Sequence, residues 1–220
     1  FQEFGEMPIE RQGRRNDLDD LYCMIKEGYS NYQILEMMPE SILNIDKLDK
    51  VRQTIVQEKF RNSCRFLDVT YLWGDTGVGK TRSIMEQYGY SNVYRVTDYY
   101  HPFDSYQGQD VIVFEEFRSG FLIRDMLNYL DIYPLELPCR YLNKVACYTK
   151  VYIVSNIPLR QQYSNVQREE PETWLALLRR IKDVKHYTKL GVENQRIKID
   201  ENGFWRIVSI GVESRYDGWR

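Results

Sequence analysis

Apolar residues in the first third of the chain recur at the spacing of amphipathic helices. The pattern predicts one helix that Asn16 caps and Gly28 closes, and a second that Ser30 caps and Pro39 stops. A third is predicted from about Asp46 to Phe60. The predicted buried stripes are Leu18, Leu21, Tyr22 and Ile25, then Tyr32, Leu35 and Met38, then Leu48, Val51, Ile55 and Val56. These stripes suit a core of this unit and a surface for neighbouring subunits equally well.

From Arg65 onward, short apolar runs alternate with helical stretches, which predicts an α/β fold with a parallel central sheet. The predicted strands cover 69–73, 92–96, 111–114 and 150–154, and the predicted helices 82–88, 121–130 and 171–181. In the last helix the predicted buried residues are Trp174, Leu175, Leu178 and Ile181. A polar hairpin is predicted over 135–149. Further strands are expected from Val184, two of them joined by a turn at 201–203.

The turn between the first strand and its helix is Gly74-Asp-Thr-Gly-Val-Gly-Lys-Thr81, which fits G-x-x-x-x-G-K-[ST]. Its backbone N–H groups and the positive end of the helix dipole converge, so the turn predicts a phosphate site. Lys80 is expected to reach the β- and γ-phosphates, and the Thr81 hydroxyl to bind magnesium. The predicted residues for ATP are Gly74, Asp75, Thr76, Gly77, Val78, Gly79, Lys80 and Thr81, with Mg²⁺ beside them.

Two carboxylates and an amide follow predicted strands of the same sheet. Glu115 and Glu116 come directly after the apolar run 111–114, and Asn156 comes after the run 150–154 and a serine. In a parallel sheet the carboxyl ends of the strands line the ligand crevice, so these groups should lie beside the loop. Glu115 is expected to hold magnesium through water, Glu116 to deprotonate the attacking water, and Asn156 to bond that water or the γ-phosphate. The alternative is that the acidic pair only begins a solvated turn.

Cations occur at two further places. The predicted tip of the hairpin carries Arg140, Tyr141, Asn143 and Lys144. Cations beside an aromatic ring suit a single-stranded nucleic acid, although a polar tip can also be merely solvated. Arg179 and Arg180 stand near the end of the last predicted helix, where they either complement the helix dipole or supply an arginine finger to a neighbouring subunit.

Composition narrows the kinds of partner, site and location that the sequence allows. The net charge of −2 and the pI near 5.9 lack the basic footprint of a duplex-binding domain. The four cysteines have no metal spacing, and both histidines stand alone, so reduced thiols are expected. Cys139 and Cys147 could face each other across the hairpin as packed thiols. The sequence shows neither a membrane-spanning run nor a signal peptide, and its start at Phe1 suggests a piece of a longer protein.

Taken in order, GDTGVGKT, VIVFEEF, the hairpin, VYIVSN and LLRRI resemble the superfamily 3 helicase domain of rolling-circle replication initiator (Rep) proteins of small single-stranded DNA viruses and related bacterial plasmids. The resemblance covers about residues 65–182. It implies an AAA+-like P-loop ATPase in which the amide strand lies between the loop strand and the acidic strand. It also implies a DNA-contacting hairpin at residues 140–144 and a homo-oligomeric ring, usually a hexamer, completed by an arginine in trans.

We therefore expect a linker and small helical oligomerisation unit in 1–62, the ATPase in 63–182 and a β-rich tail in 183–220. The Glu-Glu pair, where viral members usually have Asp-Asp, and the tail favour the plasmid branch. The expected location is accordingly the bacterial cytoplasm, or the host nucleus for a viral protein. The histidine pair of a nicking domain is missing, and Tyr141-Leu-Asn-Lys144 matches its Tyr-x-x-Lys nucleophile motif only by accident. This piece should unwind or translocate DNA without nicking it.

Other functional classes fit part of the pattern. A P-loop small-molecule kinase would need a lid and an arginine-rich acceptor site, and neither is visible in the sequence. A nucleotide-dependent switch could carry the same loop, but it would need neither a water-activating glutamate nor an arginine in trans. ATP hydrolysis that DNA stimulates would separate the three classes.

Overall fold

The computed structural model describes residues 13–214. The predicted N-terminal linker begins outside these residues. The chain divides between Glu58 and Lys59 into two compact units. Within 13–214, no helix is both long enough and apolar enough to cross a membrane.

The first unit is built from helices α1 (Gly13–Glu27) and α2 (Asn31–Met37), a 3₁₀ turn (Pro39–Asn44) and the start of α3 (Ile45–Arg61). Ser30 caps α2 as predicted, and its hydroxyl and the Gln33 side chain form a capping box. The predicted cap at Asn16 is wrong, because α1 already begins at Gly13.

The small core of the first unit contains Leu21, Ile25, Ile34 and Leu48. The predicted stripes are therefore correct only in part. Leu18, Tyr22 and Tyr32 are 63%, 45% and 71% exposed, and Ile34, which the prediction left out, is fully buried. A short helix packs on its neighbours through only one or two side chains. The angle at which it meets those neighbours therefore decides which residues are buried, more than the helical repeat does.

The second unit holds the sheet. Its strands are β1 (Asp68–Gly74), β2 (Val93–Val96), β3 (Val111–Phe114), β4 (Glu136–Leu137), β5 (Lys144–Val145), β6 (Lys150–Ser155), β7 (Asp183–Tyr187), β8 (Gly191–Ile199) and β9 (Trp205–Ser214). Its helices are α4 (Lys80–Tyr88), α5 (Ile123–Tyr129), α6 (Ser164–Glu169) and α7 (Pro171–Arg180), with 3₁₀ turns at Tyr90–Asn92 and Leu159–Gln161. The predicted helices and strands from residue 65 onward are thus confirmed to within a few residues.

Seven of the strands form one sheet in the order β2-β3-β6-β1-β7-β8-β9. Pairing is parallel from β2 to β7 and antiparallel from β7 to β9. The amide strand β6 therefore lies between the acidic strand β3 and the loop strand β1, as the resemblance implied. The predicted tail strands β7 to β9 do not stand apart, since they continue the main sheet beside β1.

Apolar side chains cover the sheet on both faces. Leu72, Val113 and Val154 pack with Ile84 of α4 in one buried cluster. Another buried group is aromatic, and its rings meet mostly edge to face: Phe103, Phe114, Phe121 and Tyr129. The buried face predicted for α7 is confirmed at Trp174, Leu175 and Leu178, and Ile181 just beyond the helix is buried as well.

The close approach of Gly74 to β7 shows why the loop begins with glycine. A Cβ at Gly74 would lie 2.0 Å from the Tyr187 carbonyl oxygen, and the backbone φ of Gly74 is +143°. Both the contact and the φ exclude an ordinary side chain. The first residue of the loop is therefore fitted to the strand beside it.

The hairpin of β4 and β5 differs from its prediction in register. Leu137 pairs with Lys144, so Lys144 lies in strand β5, in the pair that closes the turn, and not at the tip. Cys139 and Cys147 consequently do not face each other, because this register places them outside a common pair. Both are free thiols, and burial raises the pKa of Cys147 to about 11. The expectation of packed thiols is confirmed for the buried Cys147.

Candidate nucleotide-binding site

The loop between β1 and α4 forms the wall of a cavity of about 210 Å³. Thr76, Gly77, Gly79, Lys80 and Thr81 line it, together with Val154 of β6 and Glu116 in the turn after β3. Gly79 precedes α4 in the left-handed conformation, with φ 80°. The nine-residue helix α4 begins at Lys80, which lines the cavity, and the N–H groups at a helix start favour an anion. The backbone thus has the form of an anion site.

The ammonium of Lys80 is buried, and three oxygens hold it. Its Nζ donates to the carbonyl oxygens of Gly74 at 2.7 Å and Asp75 at 2.8 Å, and to Oδ1 of Asn156 at 3.0 Å. Burial lowers the pKa of Lys80, and the nearby carboxylates, Glu116 foremost, oppose that shift. The lysine is therefore held at the loop, beside the position of the phosphates that the loop would bind.

Glu116 lies at the mouth of the same cavity. Its Oε2 accepts a hydrogen bond from the Asn156 amide at 2.8 Å. The backbone of Glu116 is left-handed, with φ 49°, which is uncommon for a residue with a side chain. Glu116 is also exposed, in contrast to its neighbour Glu115. The exposed carboxylate is therefore the one that water can reach.

Asn156 joins the loop to the acidic strand. Its two amide atoms contact Lys80 and Glu116, so a single side chain bridges the cation and the carboxylate. This position follows from the strand order, since β6 lies between β1 and β3. The sequence predicted this neighbourhood, and the structure brings the three groups together.

Glu115 is buried beside the first turn of α4. Its Oε2 accepts from the Thr81 hydroxyl at 2.8 Å, and its Oε1 accepts from Nε of Arg95 at 2.8 Å. Hydroxyl and carboxylate oxygens are the ligands that Mg²⁺ prefers, and Mg²⁺ commonly takes its other ligands from phosphate and water. Within residues 13–214 no group of three or more His, Cys, Asp or Glu could hold a metal alone. The pair Thr81 and Glu115 fits a magnesium ion that the nucleotide and water would complete.

Arg95, Tyr99 and Gln162 are site residues that the sequence reasoning missed. Arg95 pairs with Glu115, and the Tyr99 hydroxyl donates to the Glu115 carbonyl oxygen at 2.7 Å. Gln162 is 1% exposed, and its amide donates to the Phe117 carbonyl oxygen and the Ser155 hydroxyl, beyond β3 and at the end of β6. A polar residue within the β2 run Val93-Tyr-Arg-Val96 was the one available signal for Arg95.

The predicted DNA-contacting residues of the hairpin differ in the contacts that they make within the chain. Tyr141 is 96% exposed, whereas Arg140 pairs with Asp104 and Lys144 donates to the carbonyl oxygens of Asp104 and Tyr106. Asn143 accepts a hydrogen bond from the Cys139 N–H at 3.3 Å. The free aromatic ring is therefore the most accessible of the predicted DNA contacts.

The two arginines at the end of α7 also differ. Arg180 donates to Asp131 Oδ2 at 2.9 Å and to the Ala176 carbonyl oxygen at 3.0 Å. Arg179 is exposed, and within residues 13–214 no hydrogen bond or ion pair holds its guanidinium. Of these two arginines, Arg179 is therefore the one that a neighbouring molecule could contact without breaking a bond within this chain.

Comparisons with known proteins agree with this geometry. Residues 70–156 match the family described as RNA helicase. A replication-associated protein of Canary circovirus is 24% identical over 191 residues, which cover 83% of this chain and 60% of the relative. A replication-associated protein of Goose circovirus is 30% identical over 128 residues, or 58% of this chain and 42% of the relative. A third, from Beak and feather disease virus, is 29% identical over 107 residues.

The chain spans between 32% and 60% of the length of these relatives. All three are viral, although the acidic pair and the tail favoured the plasmid branch. The matched region contains the loop, the acidic strand and the amide strand, in a mixed α/β fold with a mostly parallel sheet. Residues 70–156 are thus similar to the RNA helicase family, and a longer part of the chain is similar to replication-associated proteins of circoviruses.

Proposed function

We propose that this chain is the ATP-driven motor of a replication initiator, which moves along single-stranded DNA as a hexameric ring. The observation that carries the proposal is the bridge of Asn156 between Lys80 and Glu116. A nucleotide switch needs the lysine, but it does not need an exposed carboxylate tied to it through an amide. Such a link suits a site that hydrolyses the nucleotide.

Each residue has a separate task in this proposal. Lys80 and the loop N–H groups bind the β- and γ-phosphates, and Glu116 accepts the proton of the attacking water. Asn156 orients that water or the γ-phosphate. Thr81 and Glu115 would hold magnesium, which neutralises charge on the phosphates. Arg95 fixes the Glu115 carboxylate from the side of β2.

The test is ATP hydrolysis with and without nucleic acid. We expect an oligothymidylate to raise the turnover number of the chain, and duplex DNA of equal length to raise it less. A single-stranded RNA of matched sequence separates a DNA motor from an RNA motor. If turnover is the same with and without each of these nucleic acids, the motor function is contradicted and the nucleotide-dependent switch is the function that is left.

Replacement of Arg179 tests whether an arginine from a neighbouring subunit completes the ATP site. Arg179→Ala should lower turnover at least about tenfold with little change in nucleotide affinity, because a finger acts only on the transferring phosphate of the neighbour. Arg180→Ala is the matched control, and it should lower the melting temperature through loss of the Asp131 pair. Mixing Arg179→Ala chains with Glu116→Gln chains should restore part of the activity. No recovery at any ratio would argue against an arginine in trans.

Replacement of Tyr141 tests the hairpin. Tyr141→Ala should weaken single-strand binding by about five- to a hundredfold without changing its salt dependence, since base stacking releases no counterions. Tyr90→Ala, another exposed tyrosine, is the control. Fluorescence anisotropy across a salt series measures the affinity of each variant and its salt dependence. If Tyr141→Ala binds single-stranded DNA as tightly as the parent, the hairpin does not contact the DNA.

A further inference from the structure

A second cavity, larger than that at the loop, lies on the strands that the helicase motifs leave unexplained. Its volume is about 600 Å³, within the usual range for small-molecule sites. We call it the tail cavity, and define it by Trp73, Arg160, His186, Glu193, Trp205 and Arg206 among its lining residues. It is built from β1, β7, β8 and β9 with the segment after β6.

Aromatic rings form part of its wall. The rings of Trp73 and His186 are stacked, with centroids 3.6 Å apart and planes 3° apart. Trp205 lines the same cavity, and its ring meets the buried Trp174 edge to face at 5.7 Å. These contacts hold both indoles in place before any ligand arrives. Flat, fixed rings beside an open volume are the arrangement on which nucleobases stack.

Polar side chains brace the stacked pair. The Trp73 indole N–H donates to Gln195 Oε1 at 3.4 Å, and His186 Nδ1 lies 3.5 Å from Glu193 Oε2. Hydrogen bonding, mainly from Ser209, lowers the pKa of Glu193, so this carboxylate is charged at neutral pH. Glu193 is also an acceptor for the donor groups on the edge of a base.

Two guanidinium groups stand at the edge of the cavity. Arg160 and Arg206 are exposed, and within residues 13–214 no ion pair neutralises either of them. The cavity therefore carries more positive than negative charge, although the whole chain carries −2. Cations beside stacking rings suit a base with an adjoining phosphate.

We propose that the tail cavity binds an unpaired nucleobase together with its neighbouring phosphate. Trp73 directly precedes Gly74, so the cavity begins at the strand that carries the phosphate loop. The base could accordingly belong to the nucleotide at the loop or to a single strand that the motor holds. The proposal extends the proposed function, but it requires binding alone and no hydrolysis.

The experiment measures binding to the full chain without turnover. Two probes are used: a non-hydrolysable ATP analogue, followed by calorimetry, and a labelled oligothymidylate, followed by anisotropy. We expect Trp205→Ala to weaken one probe by about five- to a hundredfold, the range for a single stacked base. Phe204→Ala is the matched control, because Phe204 is 74% exposed on the same hairpin and does not line the tail cavity.

The two sources of the base give different results. If the base belongs to the nucleotide, Trp205→Ala weakens the ATP analogue but leaves inorganic triphosphate unchanged. If it belongs to a strand, Trp205→Ala weakens the oligothymidylate but leaves an abasic strand of the same length unchanged. Neither result depends on the proposed motor, whose own test is the stimulation of hydrolysis by DNA.

Trp205→Ala loses the contact with Trp174 and could misfold for that reason, so a second variant is needed. The double change Arg160→Ala and Arg206→Ala removes only exposed groups, so the fold should persist by circular dichroism. It should weaken the same probe and reduce the slope of its affinity against salt. Parental affinity of the double variant for both probes would overturn the proposal.

Discussion

Glu116→Gln should bind ATP with nearly parental affinity and hydrolyse it about two to four orders of magnitude more slowly, the usual contribution of a general base. The glutamine keeps the size of the side chain, and its amide oxygen can still accept the hydrogen bond from Asn156. What is lost is the ability to take a proton. Single-turnover hydrolysis, measured beside calorimetric affinity, separates the two quantities.

Glu86→Gln serves as the control, because Glu86 is a partly exposed carboxylate on α4 that pairs with Arg82 away from β3. An exposed pair of this kind contributes little, so both turnover and affinity should remain parental. Hydrolysis by Glu116→Gln at the parental rate would remove Glu116 from the role of base.

Lys80→Ala should lose ATP binding by at least about a hundredfold, because hydrogen bonds to charged groups contribute more than neutral ones. The structure adds an expectation of its own. The carbonyl oxygens of Gly74 and Asp75 and the amide oxygen of Asn156 all accept from this ammonium. Their loss of a donor should also loosen the loop, so hydrogen exchange at residues 74–81 should rise in the nucleotide-free variant.

The control is Lys182→Ala, which removes an exposed lysine that makes only a weak pair with Asp68 at 3.5 Å. Its nucleotide affinity and its loop exchange should match the parent. Parental affinity for ATP in Lys80→Ala would show that the loop does not bind phosphate through its lysine.

The strands and the loop motif could be predicted because their signals are local. Apolar runs such as Val111–Phe114 and the spacing of glycines around Lys80 are visible within a few residues. Arg95 could not be assigned in this way. Its contact with Glu115 depends on β2 pairing with β3 in a register that joins Arg95 to Val113, across a loop with no periodic pattern.

Weak local signals also explain the errors in the first unit. The buried residue of α2 is Ile34, one position before the predicted Leu35, and a helix of seven residues is too short for its period to decide between them. The register of the hairpin was missed for a related reason. The expectation that Cys139 and Cys147 face each other would centre the turn on Asn143, whereas the pairing of Leu137 with Lys144 centres it between Arg140 and Tyr141.

The contact between Gly74 and Tyr187 has a consequence for anyone who shortens this protein. A fragment trimmed at Lys182, where the recognisable helicase motifs end, would keep every residue of the loop and lose the strand against which its first glycine rests. The exposed edge of β1 would then be open to pairing with another chain. The shortest piece worth expressing therefore extends at least through β7, beyond the last motif.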